Sequence, residues 1–113
     1  MTLIELIEVM YPALNGKIEV GKPFPCPLAM HMPSDERPMF ITVDEYGQRW
    51  RCDGGCAGDD WKNAVQFIAN AMGMVPLDAF ELWSELDDLD SQQDRVYLIA
   101  AEYPYWYPEE VEL

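Results

Sequence analysis

Positive charge is scarce in this 113-residue chain: seven Lys and Arg stand against 21 Asp and Glu, a formal net charge of −14. Affinity for nucleic acid rests largely on cations meeting phosphates. The imbalance therefore argues for repulsion of phosphate backbones and for attraction to a basic protein surface. Long apolar runs are absent, and none approaches the roughly 20 residues that a membrane helix needs. Residues 1–12 have no basic leader and carry Glu5 and Glu8, so no secretion signal is expected and a cytoplasmic location is. Disulfides are uncommon there, which matters because cysteine is sparse too: three, beside one histidine. No phosphate loop, nucleophile elbow or framed pair of acids is present. What remains is a chain that is 50% hydrophobic, enough for one small core that a metal would help to hold.

The charge is unevenly placed. Residues 22–62 carry seven acids and five bases, whereas residues 63–113 carry eleven acids and Arg95 alone. Either this is a solubilising surface, or it is an attractor for a basic partner.

Periodicity gives an α+β reading. Leu3, Ile4, Ile7 and Met10 have helical spacing behind a Thr2–Glu5 capping-box pattern, stopped by Pro12 and Asn15-Gly16. "KIEVGKPFP" reads as a short extended piece. "MFITVDEYGQRWRC" reads as a hairpin, with Met39, Ile41 and Val43 on one side, Gln48, Trp50 and Cys52 on one side of the next strand, and "DEYG" as the turn. A second helix is expected from an Asp59 or Asp60 cap, with Trp61, Ala64, Val65, Ile68 and Met72 as its apolar stripe and Gly73 as its stop. A third starts at Pro76, with Leu77, Phe80 and Trp83 or Leu82 buried. A fourth is opened by Ser91 and Asp94. The expected organisation is one domain: an N-terminal helix and connection (1–21), a ribbon (22–58), a layer of about three helices (59–102) and an aromatic, acidic tail (103–113).

All three cysteines and the histidine fall in one window: Cys26, His31, Cys52 and Cys56. Two close pairs, C-x4-H and C-x3-C, bracket the hairpin, and a hairpin brings its ends together. Three thiolates and an imidazole complete a tetrahedral shell with no place left for water or substrate, so the expected cofactor is a structural zinc. The other readings of the same residues are buried thiols with a surface histidine, a Cys52–Cys56 redox pair without the usual spacing, and a cysteine–histidine dyad that lacks a third member.

The order of these features resembles the N-terminal zinc-binding domain of bacterial and phage DNA primases. "CPLAMHMPS" matches that family's Cys-Pro, His and Pro-Ser at Cys26, Pro27, His31, Pro33 and Ser34. "CDGGCAGDDW" matches its final cysteines at Cys52 and Cys56, and "VQFIANAMGMVPLDAFELW" looks like the two helices behind its finger. The resemblance covers residues 3–88. Here the knuckles are longer and "PSF" is interrupted, and no catalytic primase domain is expected within these 113 residues. The resemblance implies a zinc finger that reads single-stranded template, for which Arg49, Trp50 and Arg51 are the candidate contacts. The simpler reading packs Trp50 under the ribbon and turns both arginines outward.

"ELDDLD" at residues 85–90 lacks the frame of a calcium loop and reads as a solvated helix end. The run Tyr103, Tyr105, Trp106 and Tyr107 is either an exposed platform or a cover for the core. Taken together, the expectation is a non-enzymatic, zinc-stabilised acidic binding protein. Its partner would be a basic, nucleic-acid-handling host protein, contacted through Asp87, Asp88, Asp90, Tyr105 and Trp106. The resemblance adds an origin in a phage or mobile element, with inhibition of a host defence system as one outcome. The alternative is a single-stranded nucleic-acid accessory factor in replication.

Overall fold

A computed structural model of the chain describes residues 1–26, 40–52 and 60–104. Among these residues, four helices and a three-stranded antiparallel sheet make an α+β fold. Helix α1 spans Leu3–Met10 and begins as its spacing predicts: Glu5 N donates to Thr2 Oγ1 at 3.1 Å, and Thr2 N donates to Glu5 Oε1 at 2.9 Å. Its buried side is Leu3, Leu6, Ile7, Val9 and Met10, with Ile4 half-buried. Pro12 cannot continue the helix, and the chain tightens into a 3₁₀ turn over Pro12–Leu14 that buries Leu14.

The sheet runs β1 (Phe24–Pro25), β2 (Phe40–Val43) and β3 (Trp50–Cys52) in that spatial order. Phe24, Ile41 and Cys52 lie opposite one another in one cross-strand row, and Val43 faces Trp50 in the next. All five side chains are buried, while Arg51, opposite Thr42, is on the outer face. The turn between β2 and β3 is the expected one. Gly47 N donates to Asp44 O at 3.0 Å, Gly47 holds φ +68°, and Asp44 Oδ1 accepts from Gln48 N at 2.9 Å and Arg49 N at 3.1 Å. Gln48 therefore sits in the turn, exposed, and does not share the buried face with Trp50 and Cys52.

Helix α2 (Ala64–Met72) starts later than the acids at 59 and 60 suggest. Lys62 is pulled into the sheet instead, exchanging backbone hydrogen bonds with Trp50 at 2.9 Å and 2.8 Å. The first residue left to cap is Asn63, in a reciprocal pair with Gln66 at 2.9 Å and 2.8 Å. Trp61 consequently lies outside the helix and is exposed, and Phe67 fills the central buried position. Gly73, left-handed, closes α2 as expected.

Helix α3 (Pro76–Asp87) corrects the expected buried face. Ala79, Leu82 and Leu86 face inward, Trp83 is half-buried, and Leu77 and Phe80 are 69% and 55% exposed. α3 packs mainly against α2, and with Ala79, Leu82 and Leu86 on the inner side the larger pair is turned out. Helix α4 (Gln92–Glu102) begins at Ser91, whose Oγ accepts from Asp94 N at 3.1 Å. It packs on α1. Among the described residues one hydrophobic core draws on α1, the sheet and the helical layer together.

Candidate metal end and acidic helical face

Cys26 directly follows β1, and Cys52 is the last residue of β3. Both strands pair antiparallel with β2, so they run in the same direction on either side of it. The two cysteines therefore end their strands at the same end of the sheet, Cys26 half-buried against the core and Cys52 buried in it. The chain leaves toward residues 27–39 from one and toward residues 53–59 from the other. His31 and Cys56, the other two expected ligands, lie in those stretches, outside the described residues. Among the described residues no group of three or more His, Cys, Asp or Glu is arranged to hold a metal.

The Arg49–Trp50–Arg51 trio divides. Trp50 is fully buried, edge-on to Phe67 with ring centroids 5.5 Å apart, and its Nε1 donates to Asn63 O at 2.8 Å. It is not available for stacking on a base. Arg49 and Arg51 are exposed, and the Arg51 guanidinium lies 4.9 Å from the centroid of Trp61. Arg49, Trp61 and exposed Tyr46, with Asp44 and Glu45, line a shallow cavity of about 380 Å³ on the outer face of the hairpin. The resemblance points to Trp50 for this surface, but the exposed aromatic there is Trp61; Trp50 packs under the hairpin with both arginines outward, as the simpler reading expects. The signal that separates them is alternation: Trp50 falls between two arginines, so if they face out it faces in.

The helical layer concentrates negative charge. Among the described residues from 63 to 104, all eight acids are exposed, while Arg95 is buried, 6% exposed. Its guanidinium is spent internally: Nε donates to Leu86 O at 3.0 Å, Nη2 to Leu89 O at 2.7 Å, and Nη1 to Gln92 Oε1 at 2.7 Å and Glu5 Oε2 at 3.3 Å. A cation there satisfies one carbonyl in the last turn of α3 and another just beyond it, and opposes the helix's negative end. So engaged, Arg95 does not offset the acids on the outer faces of α3 and α4. Glu85 of α3 and Glu102 of α4 meet closely enough that Glu102 holds the Glu85 carboxyl above its ordinary pKa. Burial, followed by the charges of Glu102, Glu85, Asp78 and Glu81, pushes the Tyr103 phenol upward. The acids that crowd one another are therefore these, on the α3–α4 side.

The expected contact residues are distributed differently. Asp87 is an ion-pair partner of the Met1 amino group. Asp88 and Asp90 are exposed at the α3–α4 corner, and Asp88 is the C-cap of α3. Tyr105 and Trp106 lie outside the described residues. No helix among the described residues is long and apolar enough to cross a membrane. No family model, curated protein or solved structure matches the chain.

Proposed function

We propose that this protein works by binding and not by catalysis: a scaffold fixed by zinc presents the acidic outer surface of its helical layer to a basic surface on another protein. The observation that carries the reading is the contrast between the exposed acids of α3 and α4 and the burial of Arg95, the one base in that half of the chain. Uncompensated charge of one sign raises encounter rates with an opposite partner and repels phosphate backbones. A basic, nucleic-acid-handling host protein is the kind of partner that fits, and blocking its basic surface would inhibit it. Asp88 and Asp90, with Asp87, Tyr105 and Trp106, remain the contacts proposed for this role.

Cys26, His31, Cys52 and Cys56 would hold the zinc. The shared end of β1 and β3 supports that grouping for the two described cysteines. With four protein ligands its part is structural, supplying fold stability to a small core. The resemblance to the primase zinc domain supports the same ligand set, and with the chain's size and acidity it supports an origin in a phage or mobile element.

A second reading is favoured by one observation, the Arg51–Trp61 stack beside Arg49 and Tyr46. Bases of single-stranded nucleic acid stack on such surfaces, and an accessory role in replication would use this face. Charge decides between the two. Changing Asp88 and Asp90 to Asn, and in a second variant Glu81 and Glu85 to Gln, should each weaken binding to a cationic probe protein and flatten its salt dependence. Unchanged affinity and salt slope in both variants would remove the acidic face from the function.

A further inference from the structure

The outward turn of α3 leaves large apolar side chains in the middle of a negative surface. Leu77 and Phe80 are one helical turn apart, 69% and 55% exposed, and Val75, the N-cap, is 60% exposed just before them. Asp78, Glu81 and Glu85 follow the same three- and four-residue spacing on the adjoining side of the helix. α3 therefore carries two parallel ridges, one apolar and one acidic, and neither faces the core. A solubilising helix would need only the acids. A surface for simple charge attraction would not need Phe80.

We propose that this outer face of α3 is a docking surface for an amphipathic basic helix of a partner protein, with Leu77 and Phe80 receiving its apolar side chains and Asp78, Glu81 and Glu85 pairing with its lysines or arginines. The inference rests on the acidic-binding reading and adds to it the shape and chemistry of the partner segment. Helix-on-helix recognition reads apolar anchors at three- and four-residue spacing, and the sign of the ridge selects a cationic partner. A second copy of this chain does not fit, because it would bring two acidic ridges together.

The test uses the full zinc-loaded chain and two synthetic peptides of identical leucine and lysine composition. In one the leucines have helical spacing on one face; in the other they are scrambled. Binding is measured for the parent and for the Leu77→Ser, Phe80→Ser double variant, with melting and sedimentation as controls on folding and mass. Both positions are exposed, so the variant should melt like the parent. The expected result is tighter binding of the amphipathic peptide by the parent, weakened roughly tenfold or more in the variant, as the loss of apolar burial requires, and no change for the scrambled peptide. Equal, salt-sensitive binding of both peptides, untouched by the variant, overturns the docking surface while the acidic reading stands. Failure to bind either peptide overturns both. A parent that sediments as a dimer, and a variant that sediments as a monomer, assigns the face to self-association and overturns the inference.

Discussion

Trp50 and Lys62 exchange backbone hydrogen bonds at 2.9 Å and 2.8 Å, and the Lys62 ammonium lies 5.6 Å from the centroid of the Trp50 ring. This pairing ties the end of the hairpin to the start of the helical layer. Trp50 extends the tie inward, edge-on to Phe67, which in turn meets Tyr11 at 6.1 Å. One indole thus connects the sheet, α2 and the turn after α1.

Trp50→Ala should therefore be severe, costing about 3–5 kcal/mol as for large aromatic truncations in cores. Trp61→Ala, at an exposed site, should change stability by about 0.5 kcal/mol or less. Denaturant unfolding of both variants checks the contrast. Similar losses in the two would contradict the assignment of Trp50 to the core.

Two glutamates should push stability in opposite directions with pH. Glu5 is held below the ordinary carboxylate range, chiefly by the backbone hydrogen bond at Thr2, with the Thr2 hydroxyl and Arg95 adding to it. Its stabilisation is present above the unfolded pKa and is lost as pH falls through the lower folded value. Glu85 is raised, first by Glu102. Its neutral form is favoured in the fold, so stability is fully present below the unfolded pKa and is lost as pH rises through the folded value. Glu5→Gln should accordingly destabilise at neutral pH, and Glu85→Gln should stabilise slightly. Both differences should shrink below the ordinary glutamate pKa of about 4.3. Melting of parent and variants at matched pH reads the sign directly.

If zinc is held by Cys26, His31, Cys52 and Cys56, the chain carries one zinc. Chelation or mild acid should release it and broaden melting, since the ligands must be deprotonated. Cys52→Ser and Cys56→Ser should lose the metal alike. His31 should not titrate near its ordinary value of about 6.5 in the zinc-loaded protein. Native mass spectrometry and NMR of the imidazole check the two statements. A metal-free chain that melts as cooperatively as the loaded one would refute the scaffold role.

The sequence carried the α+β class because caps, breakers and alternation are local. Thr2–Glu5, Asp44–Gly47, Gly73 and Ser91 all do in the fold what their chemistry suggests. It misplaced the α2 cap because the Lys62–Trp50 bridge is a tertiary contact that no local signal announces. It misjudged α3 because Leu77 and Phe80 have the spacing and the bulk of a buried stripe, whereas the rotation that buries Ala79, Leu82 and Leu86 instead is set by tertiary packing. Arg95 was visible as a lone base, but its enclosure by the carbonyls of Leu86 and Leu89 depends on how α3 and α4 turn. Of the expected metal shell, Cys26 and Cys52 fall among the described residues, and His31 and Cys56 do not.

The central claim is that the acidic helical layer, and not the outer face of the hairpin, makes the functional contact. Its most direct test is a paired titration of the purified protein at about 0.15 M salt, against a labelled cationic peptide and against labelled single-stranded DNA. The account predicts salt-sensitive binding to the peptide and little binding to the DNA. Tight DNA binding that is lost on Arg51→Ala or Trp61→Ala, with no binding to the peptide, would contradict it.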